Sequence, residues 1–158
     1  MAKKRSKVNT APFWRFLFVV YCAAMLWLLF GRSNGWVAGK EYRELLAQNI
    51  NLTPLLTLKN YQHVVMQGPA NPYFVHCLIN LLGNILLFIP AGWLLPKIFG
   101  KQQRFFPFFF TCFGLILAVE TLQLFTLLGS FDIDDLILNL SGMTLGWLFY
   151  MLFRRKRK

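Results

Sequence analysis

Seven side chains in this sequence carry most of its chemical potential: Asn80, Asn84, Glu120, Gln123, Asp132, Asp135 and Asn139. All are acids or amides, and all lie within or at the edge of strongly apolar segments. Such groups lose water when buried, at several kcal/mol for an unpaired charge, so each needs a partner or a task. Glu120 is the sharpest case, an ionisable group deep in an apolar run without a nearby Lys or Arg in sequence. It must be protonated, bonded to Gln123 and the asparagines, or served by a cation. A buried carboxylate of this kind fits general acid or base chemistry, proton transfer, or recognition of a cationic group. Asp132, Asp134 and Asp135 add an oxygen-rich cluster. One of them can serve as the cap of the following helix. Three in four residues also suit a hard cation such as Ca²⁺ or Mg²⁺, although the spacing is not that of an EF-hand.

The segments that must position these groups are four apolar runs, at about residues 12–30, 73–95, 105–128 and 136–153. Each approaches the roughly 20 residues that cross a bilayer as a helix. With 56% hydrophobic and only 15% charged residues in 158, the composition is that of a membrane protein in one compact unit. The net charge of +11 does not imply nucleic acid, because the basic residues cluster at the ends of apolar runs. They sit at positions 3, 4, 5, 7 and 15, at 97, 101 and 104, and at 154–158, which is 13 of the 17. Four crossings put all of these on one side, so the expected fold is an all-α, polytopic membrane four-helix bundle with N- and C-termini cytoplasmic. Arg32, Lys40, Arg43 and Lys59 are spread over a long outer loop at 31–72.

The first run also has the layout of a signal peptide, with Val37-Ala38-Gly39 as a weak cleavage site, but its apolar core is too long and ends in aromatics. In the outer loop, residues 40–48 fit a short helix, Pro54 bends or starts an element, and Gly68-Pro69-Ala70-Asn71-Pro72 is turn chemistry. The apolar content of this loop suits a position against the membrane surface or in the mouth of the bundle. Cys22, Cys77 and Cys112 are isolated within apolar segments and read as small hydrophobes. His63 and His76 read as surface histidines. No zinc-protease, nucleophile-elbow or phosphate-loop motif is present.

Helical spacing gathers the polar groups. Asn80 and Asn84 are four apart and share a face, which His76 extends; Asn139, Gly142 and Gly146 form a second stripe. Glu120 falls roughly 12 Å inside the outer end of its span, with Gln123 one turn further out. Three spans therefore deliver polar faces to the outer half of the membrane, and the inner half is left apolar. Amides of this kind can also serve only as glue between helices, and Gly142 and Gly146 can serve only close packing.

The order Asn80-Leu-Leu-Gly-Asn84-Ile-Leu-Leu-Phe88-Ile-Pro90-Ala-Gly92, then Glu120-x-x-Gln123, then Phe131-Asp132-Ile-Asp134-Asp135-Leu-Ile-Leu-Asn139 with Gly142 and Gly146, resembles the VanZ-like family of small bacterial membrane proteins. The stretch Asn51-Leu52-Thr53-Pro54 with Thr57 is similar to that family's Asn-Leu-x-Pro-Phe-x-Thr, with Leu55 in place of Phe. The likeness covers about residues 51–147. It implies a multi-pass protein of the bacterial plasma membrane, associated with low-level resistance to the lipoglycopeptide teicoplanin and carrying no settled reaction. The family's Arg shortly before the Asp cluster is absent, since Leu128-Gly129-Ser130 stands there. If that Arg neutralises the acidic site or holds an anionic group, the feature is missing here or supplied by Arg32, Lys40 or Arg43.

The function expected from these features is binding or remodelling of an envelope lipid, or of an antibiotic's lipid tail, at an outer polar pocket. The expected partners are membrane lipids, a lipid-linked cell-wall precursor or the lipoglycopeptide, and not nucleic acid. Two alternatives stand beside it: an intramembrane enzyme acting on lipid-linked cell-wall material, and a small proton- or ion-coupled carrier. The inner half offers the carrier no polar path.

Overall fold

The computed structural model of the chain describes residues 11–31 and 41–154. Residues 1–10 and 155–158 of the basic tails, Arg32, Lys40 and the cleavage-like Val37-Ala38-Gly39 lie outside the described residues. The chain forms helices α1 (Ala11–Phe30), α2 (Tyr42–Gln48), α3 (Leu56–Met66), α4 (Phe74–Ile98), α5 (Phe105–Thr126) and α6 (Ile133–Phe153). Of these α1, α4, α5 and α6 are long and apolar enough to cross a membrane, by length and composition. The all-α expectation holds, with one small addition. Two residues of β1 (Ile50–Asn51) pair in parallel with two of β2 (Phe131–Asp132).

All four long helices contribute to one apolar core, with Met25 from α1, Phe88 from α4, Phe108 and Cys112 from α5, and Met143 and Trp147 from α6. The most extensive packing is between α4 and α6. Its cause is local: a Cβ at Gly142 would overlap the carbonyl oxygen of Ile85, one at Gly146 that of Ile89, and one at Gly92 that of Met143. Small residues on both helices let the two backbones touch, as the spacing of Gly142 and Gly146 suggests. At the end where α4 finishes, Lys97 Nζ lies 3.6 Å from the Trp14 ring centroid and 3.3 Å from that of Trp93. This cation between two indoles ties α1 to α4.

The helix boundaries differ from the apolar runs where polar residues cap or continue a helix. α6 begins at Ile133 because Asp132 is its N-cap, with Oδ1 accepting the Asp134 N–H at 2.8 Å. Asp134 and Asp135 therefore lie in the first helical turn, where the helix dipole favours carboxylates, and not in a connection. α5 stops at Thr126, with Leu127 in the left-handed region at φ 56°. α4 continues through Pro90 and Pro96 to Ile98.

Segment 41–73 is packed onto the far end of α4, α5 and α6. α3 rests on α4. The Tyr42 hydroxyl donates to Phe125 O at 2.8 Å, and the Phe131 N–H donates to Asn49 O at 2.8 Å. These bonds, together with the β1–β2 pairing, make it a built cover on the helix ends and not a plain tether.

Candidate functional site

The acidic cluster divides into two anchoring carboxylates and one that faces the helix interior. Asp134 is fully buried, and its Oδ1 and Oδ2 accept the backbone N–H groups of Leu55 at 2.6 Å and Leu58 at 3.1 Å. It thereby caps the first turn of α3 from a different helix. The cap is needed because Leu55 takes a left-handed conformation, φ 64°, and has no side-chain acceptor of its own. Asp132 Oδ2 accepts the Thr57 hydroxyl at 2.7 Å and Asn51 Nδ2 at 3.2 Å. Both aspartates thus hold segment 41–73 on α6. Two of the three aspartates named as candidates for a hard cation are thus already engaged by backbone and side-chain donors. Among the described residues no three His, Cys, Asp or Glu side chains are placed to hold a metal ion.

Asp135 faces the other way. Asn84 Nδ2 donates to its Oδ1 at 2.5 Å. One helix over, Asn139 Nδ2 donates to Glu120 Oε1 at 3.4 Å. Asn80 Nδ2 donates to the Tyr61 phenolic oxygen at 2.8 Å. Three asparagines on two helices therefore each support one acidic group, drawn from α3, α5 and α6. Tyr61 carries a phenol pushed above its ordinary value, mainly by burial; Asn80 opposes the shift and the Asp135 and Asp132 carboxylates reinforce it. The phenol stays protonated and keeps its O–H to donate. Glu120 lies within Coulombic range of Asp135 and Asp132.

The Glu120 carboxylate is incompletely satisfied. It is 3% exposed and Asn139 is 4% exposed. Their single mutual bond is near the outer limit of hydrogen-bond length. Glu120 Oε2 and Asn139 Oδ1 are both buried without a partner among the described residues. Most buried acceptors in folded proteins are paired, so two adjacent unpaired acceptors set this position apart.

Gln123 is not part of this arrangement. Its Nε2 donates to the backbone carbonyl of Leu29 at 3.1 Å, joining α5 to α1. His63 is exposed and bonded to Gln67, and His76 is exposed. Sequence reasoning missed the phenol of Tyr61. The available signal was its spacing of four from Thr57, which places both on one face of α3.

Between α1 and the other three long helices lies an apolar cleft of about 250 Å³. Tyr21, Met25 and Leu29 form one wall; Phe88, Ile116 and Met143 form the other. Tyr21 turns its hydroxyl away, onto Leu87 O at 2.8 Å. Phe88 follows Asn84 by four residues, Ile116 precedes Glu120 by four, and Met143 follows Asn139 by four. On each helix that step is one turn, about 5–6 Å, in the same direction. The cleft's far wall and the amide–acid layer are consecutive storeys of the same three helices.

A family model described as VanZ/LLP1 matches residues 18–154. Over 137 residues, 86% of this chain and 72% of the relative, the sequence is 29% identical to Protein VanZ of Enterococcus faecium. No solved structure matches significantly.

Proposed function

The chain belongs to the VanZ/LLP1 family, and from that premise we propose that it lowers susceptibility to lipoglycopeptide antibiotics such as teicoplanin by binding or remodelling a lipid. The lipid is an envelope lipid or the antibiotic's own acyl tail, taken up in the outer half of the bacterial plasma membrane. The termini then face the cytoplasm and segment 41–73 faces outward. The observation that carries this reading is the stacking of an apolar cleft against a buried amide–acid layer. A membrane ligand with an apolar chain and a polar head needs that order of surfaces along the bilayer normal. Glu120, Asp135, Asn84 and Asn139 are the residues assigned to the head, with Asn80 positioning Tyr61 above them.

A second reading is favoured by one detail, the closeness of two buried carboxylates, Glu120 and Asp135. Such a pair suits general acid and base chemistry on lipid-linked cell-wall material. The carrier reading has less support, because the core beyond the cleft is built from Phe108, Cys112 and Trp147.

Expression in a susceptible bacterium tests the proposal. Teicoplanin should become less inhibitory, while its deacylated core keeps its potency. Equal protection against both, or against neither, overturns the lipid-based reading. If Glu120→Gln abolishes protection while lipid binding persists, the enzymatic reading replaces simple binding.

A further inference from the structure

We propose that the ligand of the cleft and its amide–acid layer is an acylated primary amine, with its ammonium group seated against Glu120, Asn139 and Asp135. The inference rests on the lipid-binding reading above and names the chemistry of the headgroup.

The two buried atoms without partners, Glu120 Oε2 and Asn139 Oδ1, belong to a carboxylate and an amide carbonyl. A carbonyl accepts only, and an ionised carboxylate accepts only. With Glu120 ionised, a single partner that serves both atoms must donate to each. The charged neighbours of Glu120 are Asp135 and Asp132, the latter also turning its backbone N–H toward it, and those of Asp135 are Asp132 and Asp134. Among the described residues no cation stands with them, and Arg43 is exposed. An anionic headgroup brought here would meet like charges in a medium of low polarity. A neutral hydroxyl offers only one proton. A primary ammonium offers three donors and a positive charge, enough for Glu120 Oε2, Asn139 Oδ1 and the Asp135 carboxylate together. Asp135 already receives Asn84 on one oxygen, so the ammonium meets its remaining lone pairs.

The position of the cleft accounts for the chain attached to the amine. Ile116 and Met143 line the cleft one turn from Glu120 and Asn139. A chain lying along Phe88, Ile116 and Met143 has its head one helical turn from these residues, in the direction of the orphaned acceptors. Gln123, joined to Leu29, spans α5 and α1 on the side of the head.

The test uses the full-length wild-type protein in nanodiscs of phosphatidylcholine, each doped with one trial lipid of matched acyl chains. The trial lipids are phosphatidylethanolamine, its N-acetylated form, and phosphatidylglycerol, and the readout is lipid retained with the protein by native mass spectrometry. Phosphatidylethanolamine should be retained roughly tenfold or more over the N-acetylated form, the scale expected for charge-assisted hydrogen bonds. Decylammonium should displace it, and decanol, which keeps the chain but not the charge, should not. Glu120→Gln should reduce the preference to near unity. Equal retention of phosphatidylethanolamine and its N-acetylated form overturns the amine assignment and leaves lipid binding standing, as does preference for phosphatidylglycerol. Retention of none of the three above the phosphatidylcholine background overturns both readings. Because the deciding comparison is made on wild-type protein, a folding defect in the variant does not affect it. A free amine and an amine lipid are separated by methylammonium, which lacks the chain: displacement by it at the concentration that works for decylammonium shows an amine site independent of the cleft and overturns the joint assignment.

Discussion

Asp134 accepts the backbone N–H of Leu55 at 2.6 Å across 79 positions of chain, so the cap of α3 is supplied by α6. The same carboxylate reaches Leu58 with its second oxygen. Both oxygens are used, both donors are backbone, and the group is fully buried.

Asp134→Asn therefore keeps the shape but turns one acceptor into a donor facing an N–H. Leaving a buried donor unsatisfied costs about 1–3 kcal/mol. The expected outcome is a lower thermal midpoint in detergent, together with faster proteolysis within 41–73. An unchanged midpoint with intact protease resistance would show that α3 does not depend on this cap.

Asn51 and Thr57 share one oxygen, Asp132 Oδ2, and Asn51 Nδ2 also donates to the Thr57 hydroxyl at 3.0 Å. Groups in one network are not additive. Thr57→Val and Asn51→Ala should each destabilise the cover by about 1 kcal/mol. The double variant should lose clearly less than the sum of the two. Strict additivity in a double-mutant cycle, measured by chemical unfolding, would mean that the three groups act separately.

The α4–α6 contact is set by backbone and not by side chains. Gly142→Ala and Gly146→Ala push a methyl into the carbonyls of Ile85 and Ile89, neither of which can yield without moving a helix. A loss of about 1–3 kcal/mol is expected for each, the usual cost of overpacking. Gly83→Ala and Gly114→Ala meet nothing within 4 Å and should be neutral or slightly stabilising. Equal effects at all four positions would show that the close approach is not what these glycines provide.

Tyr61 supplies a pH dependence with a definite sign. Its phenol is raised above the ordinary value of 10.0, so the folded state favours the protonated form. The stability it contributes is complete below pH 10 and falls as pH rises toward the folded value. Wild type should therefore loosen around α3 at alkaline pH more than Tyr61→Phe does. Difference absorbance of phenolate between the two proteins locates the ionisation, and an ionisation at or below the ordinary value contradicts the burial of this phenol beside Asp135.

The polar core of the site was legible in the sequence because helical spacing is local. Asn84, Glu120 and Asn139 stand alone in apolar runs, and a bilayer-length helix leaves each little choice of depth. Gln123, grouped with Glu120 by the same reasoning, bonds to α1 in the structure. Three residues past Glu120 is a turn short of closure by about 60°, enough to aim it at Leu29 on α1 and not at Asn139. The aspartates were legible as a group but not by role. Capping partners such as Leu55 and Leu58 are backbone groups 76 to 79 positions away, and nothing in residue type announces them. For the same reason the outer segment showed its helix and turns but not its attachment. A two-residue parallel pairing leaves no periodic trace.

That pairing also sets an order of events during synthesis. β1, the start of α3 and the glycine-facing side of α4 all wait for partners that lie beyond residue 130. A ribosome releasing this chain has delivered segment 41–73 and three long helices before it makes the groups of α6 that complete their attachment. The last helix is thus the clasp of the whole assembly. A nascent chain arrested before α6 presents an unfinished cover to the cell's proteases, so truncation late in the sequence should be as damaging as truncation early.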